Sequence, residues 1–323
     1  MTHHSELIHP TARPENRATK RRGIEHRRPV DVPLALWPVA QVSPQYQRAG
    51  RYDSASAAHP GKMLPALASR IVAEYSAPGD CVLDPLAGIG TTLVEAALAD
   101  RHAIGVELEA RWAAVADANC DRLLDAEHRN LAQMIVGDAR NLDALIGDAH
   151  GAVDLICTSP PYACDVGQIV VTHEVGGKRI LREAAERNYS TDKANLGHAR
   201  GPAYEEAIAE IYAACFAALR PGGLLVTVTK NTRRKGHTLD LAALTIALCE
   251  RVGFSYVGHV VALHAAVRDS GLIGRPSFWQ TTQVRKARSL GEPASVVVHE
   301  DVCCFAKGTA RLGASAKAVR NGK

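Results

Sequence analysis

The chain has 323 residues, 46% hydrophobic and 22% charged, with a formal net charge of +4. This length and composition allow a full buried core and argue for one α/β domain with insertions, or one domain with a small lobe, and against a disordered chain. No apolar run approaches the roughly 20 residues needed to cross a bilayer and no signal-peptide core is visible, so no membrane partner and a cytoplasmic location are expected.

Residues 1–56 read as a basic, loop-rich segment, with seven Arg or Lys against three acids in residues 1–30. Such a run is equally a solvated tail or a source of non-specific phosphate attraction. A first helix is expected over 64–75. Cys81 to Asp84 then reads as a short apolar strand entering the loop Pro85 to Thr92, and Leu93 to Leu98 has helical spacing. Gly88 and Gly90 let a ligand approach the backbone, and the helix start beyond them offers free N–H groups. The third glycine of a dinucleotide fingerprint is missing, and no Gly-Lys-Ser/Thr completes a phosphate loop.

A second strand, His102 to Glu107, ends in an acid 23 residues after Asp84, where a carboxylate can accept both hydroxyls of a ribose. A third, Met134 to Gly137, is followed by Asp138 and Ala139, and the Asp138 carboxylate could take the exocyclic amine of an adenine. Each acid alone is equally a solvated strand end or helix cap, but in this order the three line one edge of a parallel sheet.

Val153 to Cys157 forms the next buried strand, followed by Thr158-Ser159-Pro160-Pro161-Tyr162. The two prolines fix φ and remove donors, so carbonyls and the Ser159 hydroxyl are held as acceptors beside the Tyr162 ring, which suits a flat amino-bearing ring. Further on, helices are expected over 204–219 and 239–252, a turn at Pro221-Gly222-Gly223, and strands over 224–229, 254–263 and 295–305. Two segments break the alternation: 163–202, with Lys178 and Arg179, and 265–295, with Arg275, Phe278, Trp279, Arg285 and Lys286. A third basic stretch is Arg233-Arg234-Lys235. Basic residues interleaved with aromatics suit phosphate contacts and base stacking, although solvated loops would look the same. The tail over 308–323 is again basic. The eight cysteines are scattered with no Cys-x-x-Cys pair, so no metal site and no disulfide framework are indicated.

Asp84-Pro85-Leu86-Ala87-Gly88-Ile89-Gly90-Thr91-Thr92 resembles the Asp-Pro-Phe-x-Gly-x-Gly-Thr-Thr loop of the S-adenosylmethionine-dependent DNA amino-methyltransferases, with Leu86 where phenylalanine is usual. Ser159 to Tyr162 resembles that family's catalytic loop in its Ser-Pro-Pro-Tyr form. His59-Pro60-Gly61-Lys62-Met63 is similar to its His-Pro-x-Lys segment, which closes over the methionine end of the cofactor. The resemblance covers residues 57–307. It implies a doubly wound, mostly parallel seven-stranded α/β sheet of the class I, Rossmann-like kind, with inserted recognition loops. It implies S-adenosylmethionine as cofactor, held by His59, Lys62, Asp84, Pro85, Ala87, Gly88, Gly90, Thr91, Thr92, Glu107, Asp138 and Ala139.

The reaction implied is site-specific methyl transfer to the exocyclic amine of a base in DNA. The serine form goes mostly with cytosine N4, and Asp or Asn at that position with adenine N6. In the implied mechanism the Ser159 hydroxyl and Pro160 carbonyl accept the amino hydrogens, and Tyr162 stacks on a base turned out of the helix. Cys164 is a spectator, since the Pro-Cys of carbon-5 enzymes is absent. The alternatives are an adenine N6 enzyme, an RNA amino-methyltransferase acting on guanine N2, and a catalytically idle nucleic-acid-binding protein. A restriction or recognition subunit is a candidate partner.

Overall fold

Short apolar runs that end in a polar residue alternate with helices between residues 81 and 158, and each becomes a parallel strand. The computed structural model describes residues 33–162, 172–175, 178–181, 192, 194–234, 237–276 and 278–309. The chain divides into two units, Met1–Pro33 and Leu34–Lys323, and every element below lies in the second. In chain order these are β1 (Leu36–Pro38), α1 (Pro44–Arg48), α2 (Pro65–Tyr75), β2 (Cys81–Asp84), α3 (Thr91–Ala97), β3 (His102–Glu107), α4 (Ala110–Leu123), α5 (Ala126–Arg129), β4 (Ala132–Val136), α6 (Leu142–Leu145) and β5 (Val153–Thr158). They continue with β6 (Thr172–Val175), β7 (Lys178–Leu181), α7 (Pro202–Ala218), β8 (Leu219–Thr229), β9 (Thr232–Arg234), β10 (His237–Leu239), α8 (Leu241–Val252), β11 (Ser255–Leu263), β12 (Ala265–Arg268), β13 (Gly271–Gly274), α9 (Phe278–Ser289) and β14 (His299–Ala306).

The main sheet runs β1-β11-β14-β8-β5-β2-β3-β4. Pairings are parallel from β8 through β5, β2 and β3 to β4, and β14 is antiparallel to both β8 and β11. Alternate residues of each central strand point to opposite faces. Val82, Leu155, Cys157 and Val226 pack with Leu67, Ile71 and Leu93 of α2 and α3. Leu83, Ile156, Leu225 and Phe305 pack with Ile208, Tyr212 and Leu248 of α7 and α8. With both faces covered, the central strands need apolar residues throughout rather than alternation.

The chain steps outward from β2 to β3 and β4, then returns to place β5 on the other side of β2. This reversal leaves a crevice above the carboxyl ends of β2 and β5, where open α/β sheets bind ligands. Since β14 runs the other way, its first residues, His299 and Glu300, reach that same edge.

Three expectations are corrected. Among the described residues the sheet has eight strands, not seven, because Leu36–Pro38 pairs in parallel with Val261–Leu263. The boundary at residue 57 therefore falls inside the compact unit: Trp37 and Val39 are core residues, and Gln47 holds the carbonyl of Val39 at 3.0 Å. Pro221-Gly222-Gly223 lies within the continuous strand β8, where pairing jumps from Val153↔Leu219 to Leu155↔Leu224 and Gly222 takes a φ of 78°. The extra residues bulge out without ending the strand.

The two insertions contain the hairpins β6–β7 and β12–β13 and the helix α9, and the basic stretch after β8 forms the hairpin β9–β10. Among the described residues no helix is long and apolar enough to cross a membrane. The basic runs over 1–30 and 310–323 and Cys164 lie outside the described residues.

Candidate active site

The crevice opens into a cavity of about 460 Å³ lined by residues that follow β2, β3, β4, β5 and β8 and by Glu300 of β14. Its floor is the glycine loop. Gly88 has φ of 54°, and a Cβ there would meet the His59 ring at 3.2 Å, so only glycine leaves the backbone open to a ligand. The Gly88 N–H donates to Glu107 Oε2 at 2.9 Å and the Ala87 N–H to the Val106 carbonyl at 3.0 Å, which ties the loop to the end of β3.

Asp84 shapes this loop from beneath. Its buried carboxylate accepts from the Thr92 hydroxyl at 2.6 Å and the Leu86 N–H at 3.1 Å, so it joins β2 to α3 and its oxygens are directed at the loop. Burial pushes its pKa to about 6 despite those bonds. Gly90 likewise supports the loop from behind. It caps α3 with φ of 77°, and a Cβ would lie 2.9 Å from the Ala116 Cβ, so it faces α4 and not the cavity. Pro85, Ala87, Thr91, Thr92 and Ala139 line the cavity.

Glu107 keeps capacity for a ligand. Its oxygens accept from the N–H groups of Glu109, at 3.0 Å, and of Gly88, and two of about four lone-pair sites stay available for a pair of hydroxyls. Burial raises its pKa, against those two donors. Asp138 differs from expectation. Its Oδ1 accepts from the Arg140 N–H at 3.0 Å and from Arg140 Nε at 2.9 Å, and Arg140 Nη2 holds Oδ2. Although burial opposes it, this pairing keeps the carboxyl below its usual range, and it occupies most of the sites an adenine amine would use.

His59 is packed edge-on against Trp112, with ring centroids 4.7 Å apart, and burial together with the Lys62 charge lowers its pKa to about 4. It is neutral at pH 7. Lys62 Nζ donates to the carbonyls of Ala57, at 3.4 Å, and His59, folding the 57–63 segment over one end of the cavity.

The opposite wall is the loop after β5. Ser159, Pro160, Pro161 and Tyr162 all line the cavity, and Tyr204 of α7 donates to the Pro161 carbonyl at 2.8 Å. Tyr162 donates to Glu300 Oε1 at 3.1 Å, and its oxygen lies 3.4 Å from Ser159 Oγ. Glu300 Oε2 is 2.9 Å from His264 Nε2. Burial works against the charged form of Glu300, but His264, Lys230 and Tyr162 outweigh it and hold the carboxyl below its usual range. Lys230 is itself lowered by burial, in part restored by Glu300.

Glu300, His264 and Lys230 were not singled out in the sequence. Their only signal is a charge at the boundary of an apolar strand, which is also what a solvated strand end looks like. Asn195 and Gln280, which also line the cavity, lie on segments with no strand or helix signature at those positions.

The expected nucleic-acid contacts divide. Arg285 and Lys286 are exposed on α9. Arg275 is instead used internally, its Nε donating to the Ala40 carbonyl at 2.8 Å, and Arg233 is paired with Glu292 at 2.6 Å. Arg234 lies on β9, Lys178 and Arg179 on β7, and Phe278 and Trp279 at the start of α9. Lys235 lies outside the described residues.

A switch-point cavity with a tight glycine loop on one side, a carboxylate at the second strand end, and an antiparallel strand between the fifth and sixth parallel positions defines the class I S-adenosylmethionine-dependent methyltransferase fold. The cofactor this fold takes is S-adenosylmethionine. The residues present fit it: Gly88 leaves no room for a side chain, Glu107 keeps acceptor sites for a ribose, and the cavity is in the size range of cofactor pockets.

Residues 5–117 match the family described as DNA methylase, a segment that includes the Asp84–Thr92 loop. Over 110 residues it is 34% identical to a tRNA (guanine(10)-N2)-dimethyltransferase of Methanocaldococcus jannaschii, covering 32% of this chain and 30% of that protein. Over 43 residues it is 54% identical to the type II methyltransferase M.MthZI of Methanothermobacter thermautotrophicus, covering 13% of this chain and 12% of that protein. The matched stretches thus span less than a third of either relative. Among solved structures, a methyltransferase from Pyrococcus furiosus aligns over 76% of this chain and 84% of its own at 13% identity and a TM-score of 0.42. A TehB-like methyltransferase from Corynebacterium glutamicum aligns over 74% and 85% at 14% identity and 0.38. These likenesses are loose, and the fold class follows from the strand order.

Proposed function

We propose that this chain transfers the methyl group of S-adenosylmethionine to the exocyclic amine of a base in DNA, with cytosine N4 as the target. The observation that carries this reading is that Ser159 and Tyr162 face the same cavity as Gly88 and Glu107. The bound cofactor supplies an electrophilic methyl group on a positively charged sulfur. The chain supplies position and polarity. His59 and Lys62 close over the methionine end, Glu107 takes the ribose hydroxyls, and Ala139 packs beside the adenine.

An exocyclic amine is a poor nucleophile because its lone pair is delocalised into the ring. Hydrogen bonds from the amino hydrogens to Ser159 Oγ and the Pro160 carbonyl favour a tetrahedral nitrogen with its lone pair released. Tyr204, by fixing the Pro161 carbonyl, holds the loop rigid for this task. The base reaches the cavity by leaving its stack, at a cost of a few kcal/mol. Most of the acceleration then comes from holding two reactants in line. Exposed Arg285 and Lys286 on α9 supply phosphate contacts.

A second reading, transfer to guanine N2 in RNA, is favoured by the likeness to the tRNA guanine dimethyltransferase. Incubation with cofactor labelled in its methyl group and either duplex DNA or total RNA, followed by digestion to nucleosides, separates the two. N4-methylcytosine is the expected product. Label confined to RNA would replace the first reading with the second.

A further inference from the structure

On the side away from the glycine loop, the cavity is lined by Lys230, Thr232, Gln280 and Glu300, none of which belongs to either sequence motif. We infer that Glu300 is a positioning residue that fixes the direction of the hydrogen-bond chain ending at Ser159, so that this hydroxyl presents lone pairs and not its proton to the cavity. The inference rests on the function proposed above and deepens it, since it says why this site takes an N–H donor.

The argument follows the donors and acceptors outward from Glu300. Its side chain is only 12% exposed and lies between strands β11 and β8, opposite Ala262. The charged or titratable groups facing it are His264 from the segment after β11, Lys230 after β8, Tyr162 after β5 and, at longer range, Arg48 of α1. Two cations, the His264 imidazole and one phenol surround a single carboxylate, which therefore stays ionised and can only accept. The His264 nitrogen that faces it carries the proton, and the Tyr162 hydroxyl must donate to it across 3.1 Å.

The Tyr162 oxygen then has only lone pairs to offer Ser159, so the Ser159 hydroxyl donates toward Tyr162. Their 3.4 Å separation is long for two hydroxyls and tightens when a base fills the site. With its proton committed, Ser159 Oγ turns two lone pairs to the cavity, where an amino group has two hydrogens to give. A ligand carbonyl or phosphate oxygen at the same place would meet lone pair against lone pair. Remove the charge at Glu300 and Tyr162 can turn its proton to Ser159, which then aims its own proton at the amine.

The test compares the full-length protein with Glu300→Gln, Tyr162→Phe and the double variant. Single-turnover methyl transfer should fall about 10- to 100-fold in each single variant, the value of one hydrogen bond to a charged group. The double variant should be no worse than either single one, because both break the same chain. Affinity for S-adenosylmethionine and for nucleic acid should stay within about twofold, since Tyr162→Phe keeps the ring that stacks on the base and Glu300→Gln keeps the side-chain shape. Independently of turnover, the Tyr162 phenol, read as the ultraviolet phenolate difference between the protein and Tyr162→Phe, should ionise about a unit or more lower when Glu300→Gln is present. Additive rate losses, or a phenol titration unmoved by Glu300→Gln, would overturn the inference. A wild-type protein that methylates neither DNA nor RNA sinks the proposed function instead, and the phenol titration still decides the coupling.

Discussion

Asp84 offers a quantitative test of how the cofactor loop is built. Its carboxyl is buried beneath the glycine loop, and burial pushes its pKa from an ordinary 3.8 to about 6, even with hydrogen bonds from Thr92 and Leu86. Because the folded value lies above the unfolded one, folding favours the neutral acid. The contribution is fully present below pH 3.8 and is lost as pH rises through about 6. A shift of about two units corresponds to about 3 kcal/mol. Asp84→Asn keeps the shape and an acceptor for the Leu86 N–H, while the Thr92 hydroxyl can turn to accept from the new amide. The variant should therefore gain about 3 kcal/mol on the wild type between pH 4 and pH 7. Urea unfolding at a series of pH values measures it, and taking the difference between the two proteins cancels all other titrations. A difference curve that is flat over that range would show that Asp84 is not a buried acid in the folded protein, and the description of the loop would fall with it.

The loop's glycines and acids yield further expectations. Gly90→Ala adds a Cβ 2.9 Å from the Ala116 Cβ at a φ of 77°, and should cost about 2–4 kcal/mol of stability, whereas Gly50→Ala, at φ of 72° with nothing within 4 Å, should cost only about 1. Equal costs in chemical unfolding would mean that α4 does not press on the loop. Glu107→Gln turns an amide N–H toward a backbone N–H already pointing at it, and should weaken S-adenosylmethionine binding about 10- to 100-fold by calorimetry. Unchanged affinity would remove Glu107 from the ribose site. Arg285→Ala with Lys286→Ala should lower the slope of log affinity for duplex DNA against log salt by about 2, while Arg233→Ala, whose guanidinium already belongs to Glu292, should leave it unchanged.

Much of the fold was legible because parallel strands buried on both faces must be short and apolar, and β2, β3, β4 and β5 all stand where such runs occur. The Asp84–Thr92 loop and the Ser159–Tyr162 loop were legible for a related reason. Each is a contiguous stretch whose chemistry depends on glycine or proline backbone constraints, which sequence displays directly.

What sequence could not show is whatever depends on pairs distant along the chain. Leu36–Pro38 is a strand only because the edge of β11 is there to pair with it. Arg275 and Arg233 carry the same charge as Arg285, and only packing decides that the first caps Ala40 and the second pairs with Glu292 while the third stays exposed. Glu300 stands 138 residues from Tyr162, and no local pattern announces that they meet. Local sequence specifies the two loops and the sheet edge that carries them. Packing sets which carboxylate stands behind the Ser159–Tyr162 loop, because the antiparallel insertion of β14 brings its first residues to the edge where the parallel strands end.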